Sequence, residues 1–357
     1  MLRRRFRSTR IGLWPRCGLP LAIVCALAGP PLAASAQPQP AAPAAVAAQE
    51  RTVGEWLLRM HEASRRRSYV GTFVVSSAEG SMSSAKIWHV CDGEQQMERV
   101  ESLTGTPRST IRHNDSVITF LPGSKVARTE QRESLGLFPN LLRATASPIG
   151  EFYVARQVGS DRVAGFDTDV VQITPKDGLR FGYRIWSEKK SGLVVKLQTL
   201  DGDSRVLEQA AFSELQLDAP VRMDKLRQMM ASTEGYRIEK SEPVKTTPQA
   251  EGWRLREAVE GFQPVSCYRR PTAALPPGEV AAGTMQWIFT DGLASVSLFV
   301  EPFDAKRHSR EMSASMGATH ALTRRLSDRG QDWWLTVVGE APAATLRAFA
   351  QGLERVR

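Results

Sequence analysis
The chain has 357 residues, of which 24% are charged and 42% apolar, with 47 basic against 38 acidic groups for a formal charge of +9. The basicity is concentrated at one end: Arg3, Arg4, Arg5, Arg7, Arg10 and Arg16 fall in the first 36 residues with no acid among them, leaving 41 basic against 38 acidic groups beyond. A remainder of about +3 excludes nucleic acid as a partner on electrostatic grounds, and its 321 residues suggest two domains.

The basic head runs into "CGLPLAIVCALAG", 13 residues from Cys17 to Gly29. A membrane-spanning helix needs about 20 apolar residues, so this stretch is too short to cross. It ends in Ala34-Ser35-Ala36, a small-x-small exit. Basic head, short apolar middle and such an exit make residues 1–36 a secretory signal peptide, cleaved after Ala36. The Arg-rich start lies too far from the apolar core to favour a twin-arginine route. Val24 precedes Cys25 where a lipoprotein signal needs a small residue, which argues against a lipid anchor.

Residues 37–49, "QPQPAAPAAVAAQ", read as a disordered Pro/Ala tether. Order is expected over 50–221. Thr52 and Glu55 have capping-box spacing, and Trp56, Leu57, Met60 and Ala63 recur at helical spacing up to about Arg67. The period then changes to two. "SYVGTFVVSS", "SAKIWHVCDG", "QQMERVESL" and "STIRHNDSVITFLP" read as strands, with turns at Gly105–Pro107 and at "NDS" 114–116. "ESLGLFPNLLRA" suggests a short helix or apolar flap. "EFYVARQV", "DTDVVQITP", "RFGYRIWSE", "GLVVKLQTL" and "SRVLEQAAFSEL" resume the strands. The expectation is one long antiparallel sheet, each strand beside the last.

Over 222–248 the pattern fails into a polar stretch with two prolines, which reads as a linker. A smaller domain, 249–357, follows. Asp291-Gly292, between the apolar runs of "MQWIFTDGLASVSLFVEP", predicts a tight two-residue hairpin turn. "MGATHALTRRL" and "DWWLTVVGE" predict another strand pair, and Pro342 with Leu346, Phe349, Ala350 and Leu353 a closing amphipathic helix.

Chemistry-bearing motifs are scarce. The histidines His61, His89, His113, His308 and His320 are not spaced as a zinc site, and nucleophile elbow, phosphate loop and dinucleotide fingerprint are missing. No cofactor, metal or enzymatic activity is expected. The charged cluster Glu98, Arg99, Glu101, Arg108, Arg112, His113 and Asp115 reads as cross-strand ion pairs on a solvated hairpin, although Glu101 and His113 could meet across it as a dyad. Cys17 and Cys25 leave with the signal. Cys91 and Cys267 then allow one interdomain disulfide, but two buried thiols are the preferred reading. An antiparallel sheet that curls around one helix and one flap would present apolar side chains to a cavity. Trp56, Phe73, Trp88, Phe120, Phe138, Leu142, Tyr183 and Trp186 are the candidates for its lining.

Read together, "YVGTFVV", "ERVESLTGTPRSTIR", "YRIWSEKKSGLVVKLQTLD", "MQWIFTDGLASVSLFVEP" and "VVGEAPAATLRAFA" resemble the RseB/MucB proteins over nearly all of the chain beyond the signal. The resemblance implies a mainly β protein: a large LolA-like open half-barrel with helices in its mouth, then a smaller α+β domain. It also implies a periplasmic regulator of the envelope stress response. Such a regulator binds the periplasmic part of a membrane anti-sigma factor (RseA/MucA-like), shields it from the site-1 protease and is displaced by lipid or lipopolysaccharide. No family motif fixes the partner contacts. The hairpin at Asp291 and Gly292, taken as exposed, and the linker are the candidates. The alternative is a periplasmic lipid or lipoprotein carrier, against which the second domain argues. A homo-oligomer is left open.

Overall fold
The computed structural model describes residues 51–93, 95–131, 138, 148–240, 243–270, 283–308 and 310–356. The expected signal peptide, the tether and Leu142 lie outside these residues, as does most of the expected flap.

The first element forms for the reason its sequence gives. Thr52 Oγ1 accepts from the Glu55 N–H at 3.3 Å and the Glu55 carboxylate accepts from the Thr52 N–H at 2.7 Å, capping helix α1 (Val53–Arg66). Strands β1 (Tyr69–Ser77), β2 (Met82–Asp92), β3 (Gln95–Ser102), β4 (Ser109–His113), β5 (Ser116–Leu121) and β6 (Val126–Gln131) follow as a meander. After α2 (Ile149–Phe152), a second meander runs through β7 (Tyr153–Val163), β8 (Phe166–Pro175), β9 (Gly182–Glu188), β10 (Val194–Leu200) and β11 (Val206–Leu217).

The two meanders share one sheet, but not in simple succession. β11 pairs with β1 at the centre, whereas β6 and β7, neighbours in sequence, stand towards opposite edges. The expected strand-by-strand order therefore holds within each half and fails between them. The β1–β11 seam depends on a close approach. A Cβ on Gly71 would stand 2.5 Å from the Phe212 ring and 2.8 Å from the Glu214 carbonyl oxygen, so only glycine lets that ring lie across β1.

The stretch read as a linker contains regular structure. Helix α3 (Met223–Ala231) packs Leu226 onto one face of the sheet, and β12 (Arg237–Lys240) adds to β6 in parallel. The apolar positions Val221, Met223, Leu226, Met229 and Met230 supply a packing stripe that the surrounding charges obscured. The large sheet then has twelve strands among the described residues, open, with β12 and β7 at its edges.

The smaller domain comprises β13 (Val244–Lys245), β14 (Trp253–Leu255), β15 (Gln263–Arg270), β16 (Thr284–Thr290), β17 (Ser295–Pro302), β18 (Met312–Met316), β19 (Thr319–Asp328), β20 (Gln331–Gly339), α4 (Ala343–Gly352) and β21 (Leu353–Arg355). Seven of these strands form a sheet in the order β13-β15-β16-β17-β20-β19-β18, and β14 pairs with β21. Leu346, Phe349 and Ala350 are buried on α4 as their spacing predicts, whereas Leu353, also buried, lies past the helix end as the first residue of β21. "MGATHALTRRL" is not one strand: it turns at Gly317-Ala318, where Gly317 has φ +59°, and pairs back on itself. Cys91 and Cys267 are both free thiols on different sheets. Burial pushes Cys267 up to about 11, far from the thiolate that exchange chemistry needs.

Candidate functional site
The large sheet has two unlike faces, because side chains alternate along each strand. On one face, α1 buries Val53, Trp56, Leu57, Met60 and Ala63 against Tyr69, Phe73, Ile87, Val100, Tyr183, Ile185 and Phe212. Phe138 joins this face. Its ring lies 5.6 Å from Phe73 and 4.9 Å from Phe212, and Phe73 meets Phe212 edge-on at 6.2 Å. Edge-on and tilted rings at these distances contribute beyond the area they bury. The other face, beneath α3, holds Val90, Met97, Ile111, Ile118, Phe120 and Leu226.

This division sorts the predicted lining. Trp56, Phe73, Phe138 and Tyr183 share the α1 face. Trp88 and Phe120 do not, which corrects the expectation. Trp88 sits opposite Arg99 in the register and lies between the Arg99 guanidinium at 4.8 Å and the Lys86 ammonium at 5.3 Å. Phe120 packs edge-on against Tyr236 at 5.2 Å under α3. Trp186 is buried in the same apolar cluster, but its side chain alternates with that of Ile185 along β9. Its Nε1–H donates to Asp161 at 2.9 Å and Lys196 covers its ring at 4.2 Å. An aromatic residue marks burial without saying which side of a strand it is on, and only the register decides that. Phe212, Tyr69 and Tyr153 belong to the α1 face and escaped the sequence reading. The alternation Ala210, Phe212 in "EQAAFSEL" was the available signal.

The charged hairpin is structural, and partly buried rather than solvated. Glu98 and Arg112 face one another in the register and pair at 3.4 Å, with side chains only 13% and 7% exposed. Nearby, His89 stacks on Tyr69 at 4.9 Å and its Nδ1 lies 2.8 Å from the Arg67 carbonyl oxygen. Burial holds His89 below its ordinary pKa. Glu101 and His113 form no dyad. Glu101 pairs with Ser109 and His113 with Met97, four residues earlier on β3, and at about 3.3 Å per residue they are far out of reach. Glu101 instead accepts from Arg99 at 2.8 Å, and His113 Nε2 lies 2.8 Å from Gln95 Oε1.

The turn at Asp291 differs most from expectation. Four residues, Asp291 to Ala294, separate the paired Thr290 and Ser295. The Asp291 carboxylate accepts from the Leu293 and Ala294 N–H groups at 3.0 and 2.8 Å, which stabilises the wider turn. Only Gly292 has positive φ, whereas the two-residue turn needs it at both positions. The turn is not exposed either: Asp291 is fully buried, which removes it as a direct partner surface.

It is buried in the other domain. Leu293 joins the apolar cluster of the α1 face. Asp291 Oδ2 accepts from Tyr153 Oη at 2.8 Å and pairs with the Arg180 guanidinium at 3.0 Å, both charged side chains having no exposure. Arg180 also pairs with Asp177, donates to the Glu260 carbonyl and lies 4.3 Å from the Phe152 ring centre. Gly261, at φ +77°, makes room for it: a Cβ there would collide with Arg180 Nη2. The Thr345 hydroxyl donates to the Leu179 carbonyl at 2.6 Å. Burial and the neighbouring Asp291 carboxylate raise Tyr153 well above its ordinary pKa, so it remains a donor. Tyr153 also lies 6.5 Å from Tyr183 within the α1-face cluster, so it belongs to both the interdomain polar cluster and that face.

A second contact joins the domains at the β18–β19 turn. Glu79 accepts from the Gly317 N–H at 3.1 Å, and Glu208 accepts from the Ala318 N–H. Burial, then the carboxylates of Glu340 and Glu79, raise Glu208 above the ordinary carboxylate value.

With this geometry in hand, comparison with known proteins is specific. The model of the MucB/RseB N-terminal domain matches residues 52–230, and that of the MucB/RseB C-terminal domain matches 247–354. The sigma factor AlgU regulatory protein MucB of Pseudomonas aeruginosa is 29% identical over 305 residues, covering 85% of this chain and 91% of that protein. The sigma-E factor regulatory protein RseB of Escherichia coli is 22% identical over 305 residues, covering 84% and 90%. Among solved structures, the P. aeruginosa MucA/MucB complex matches with TM-score 0.63 and 26% identity, over 85% of this chain and 99% of that one. MucB in complex with MucA(peri) matches with TM-score 0.63 and 24% identity, over 85% and 98%.

Proposed function
This chain belongs to the MucB/RseB family, and from that premise we propose that it is a periplasmic regulatory binding protein that holds the periplasmic segment of a membrane anti-sigma factor (RseA/MucA-like). Bound, it shields that segment from the site-1 protease and so restrains the envelope stress response. Lipid or lipopolysaccharide releases it.

The observation that carries this reading is the seating of Leu293, from the second domain, in the apolar core of the first. Release by lipid requires that lipid bind the released conformation better than the holding one. An acyl chain entering the α1 face must displace apolar groups there, and Phe138, Tyr183 and Leu293 are among them. Because Leu293 shares a turn with Asp291, repacking around it shifts Tyr153 and Arg180 as well. Occupancy of the first domain is thereby coupled to the pose of the second. Export through the N-terminal signal supplies the compartment.

The test is binding of the purified chain, from residue 37, to the periplasmic segment of its anti-sigma factor with and without lipopolysaccharide. Binding that lipopolysaccharide weakens is expected. A folded sample that does not bind would overturn the regulator in favour of a lipid or lipoprotein carrier. Binding that lipopolysaccharide leaves unchanged would keep the shield and remove the lipid switch.

A further inference from the structure
The junction at Asp291 and the contact at the β18–β19 turn treat charge in opposite ways. At the junction, the Asp291 carboxylate meets the Arg180 guanidinium and the Tyr153 hydroxyl, so its charge is matched. At the turn, carboxylates meet one another. Glu79, from the turn between β1 and β2, accepts from the Gly317 N–H at 3.1 Å, and Glu208, on β11, accepts from the Ala318 N–H. Glu340, just beyond β20, is close enough to add its own charge to theirs. Among the described residues neither Glu79 nor Glu208 forms an ion pair with lysine or arginine. His320 stands near Glu79, but its ring packs edge-on against Phe181 at 5.6 Å and burial holds it below its ordinary pKa, so at neutral pH it brings little charge.

The position of the turn matters as much as its charge. Ser77 and Glu208 are partners in the β1–β11 register, two places beyond Val75 and Ala210 and four beyond Phe73 and Phe212. Alternation therefore sets Ser77 and Glu208 on the α1 face, at the rim where its apolar lining ends. Gly317 closes on that rim: at φ +59°, a Cβ there would stand 2.5 Å from Glu208 Oε2 and 3.4 Å from Ser77 Cβ. Gly317 and Ala318 are buried there, whereas all of β18 leading to them is exposed. The hairpin is thus held at its tip.

We propose that the Gly317–Ala318 turn is a latch on the rim of the α1 face, loaded by the carboxylates of Glu79, Glu208 and Glu340, and that it parts while the Asp291 junction still holds. Two N–H donors on ionised carboxylates close it, since such bonds are stronger than neutral ones. The same carboxylates repel one another, and the repulsion is relieved when the turn lifts, because Glu340 leaves and water enters. The matched charges of the junction exert no such repulsion. An edge hairpin with exposed backbone also belongs to the parts of a fold that open first. Opening the latch uncovers the rim beside Ala210 and Phe212 and admits an apolar chain to the α1 face. That role rests on release by lipid, as proposed for the chain.

Hydrogen exchange of the chain from residue 37, resolved amide by amide by NMR, tests the latch. The Gly317 and Ala318 amides report the latch, and those of Leu293 and Ala294, bonded to Asp291, report the junction. The latch amides should exchange faster, through an opening that leaves the junction protected. Glu208→Gln keeps the acceptor and removes the charge. It should slow exchange at Gly317 and Ala318 by about fivefold, the upper range for a partly exposed charge contact, with Leu293 and Ala294 unchanged. Gly317→Ala crowds the Glu208 carboxylate and strains the turn, and should speed exchange at Ala318. The junction amides would reveal any wider unfolding of that variant. Exchange of all four amides in step, or latch exchange that Glu208→Gln leaves unchanged or speeds, would overturn the proposal. With lipopolysaccharide as the probe, Glu208→Gln should also need about fivefold more of it to release the anti-sigma segment. Unchanged release beside slowed exchange would remove the latch as the way in. The exchange measurements need neither lipid nor partner, so their failure and that of the regulator reading are separable.

Discussion
The α1 face of the large sheet and the junction between the domains are both buried, and they are built from opposite materials. The α1 face is rings and aliphatic groups, Trp56, Phe73, Phe138, Tyr183 and Phe212, held together chiefly by apolar burial. The junction is directional: Arg180 meets Asp291, Asp177, a carbonyl and an aromatic ring, in a space that only a glycine at 261 leaves open. Apolar contacts can be exchanged for other apolar contacts at little cost, since the hydrophobic term follows area rather than geometry. A buried ion pair tolerates no such exchange, because an unpaired partner retains its full desolvation penalty. The first region is therefore suited to accept a guest and the second to hold one pose, and Leu293 and Tyr153 belong to both.

Substitutions should separate them. Asp291→Ala leaves Arg180 buried with half its carboxylate partners and Tyr153 without an acceptor, and should cost about 3–5 kcal/mol. Chemical denaturation should show the loss, and a change below 1 kcal/mol by order of magnitude would mean that the buried pair does not hold the junction. Phe212→Ala cuts the apolar cluster and should cost somewhat less, about 3 kcal/mol, while leaving the junction closed by Trp fluorescence and domain-specific hydrogen exchange. Phe138→Asp should lose lipopolysaccharide-triggered release and keep partner binding, whereas Trp88→Asp, on the opposite face, should keep both. Equal behaviour of the two would remove the α1 face as the lipid site.

Thr52→Ala should cost about 1 kcal/mol through loss of the cap on α1, without altering the junction. The smallest effect belongs to Glu208. Its folded pKa is raised, so its contribution is fully present below the unfolded value of about 4.3 and is lost as pH rises through the folded value. Glu208→Gln should therefore flatten that part of the melting-temperature profile and leave the protein more stable than wild type at neutral pH. A profile that stays parallel to wild type would place the titration elsewhere.

Sequence alone settled much about this protein. The capping box, the strand-turn punctuation, the α4 stripe and the two-domain resemblance all rest on local periods and local hydrogen bonds, which neighbours along the chain are enough to specify. It did not settle which face each aromatic residue occupies, that β11 returns to β1, or that α3 and β12 complete the large sheet within a polar stretch. Nor did it show that Asp291 is buried. In the sequence Asp291-Gly292 is a turn signal like any other. Its partners, Tyr153 and Arg180, lie 138 and 111 residues earlier, and only the packing of one domain on the other removes water from it and gives its charge a counterion.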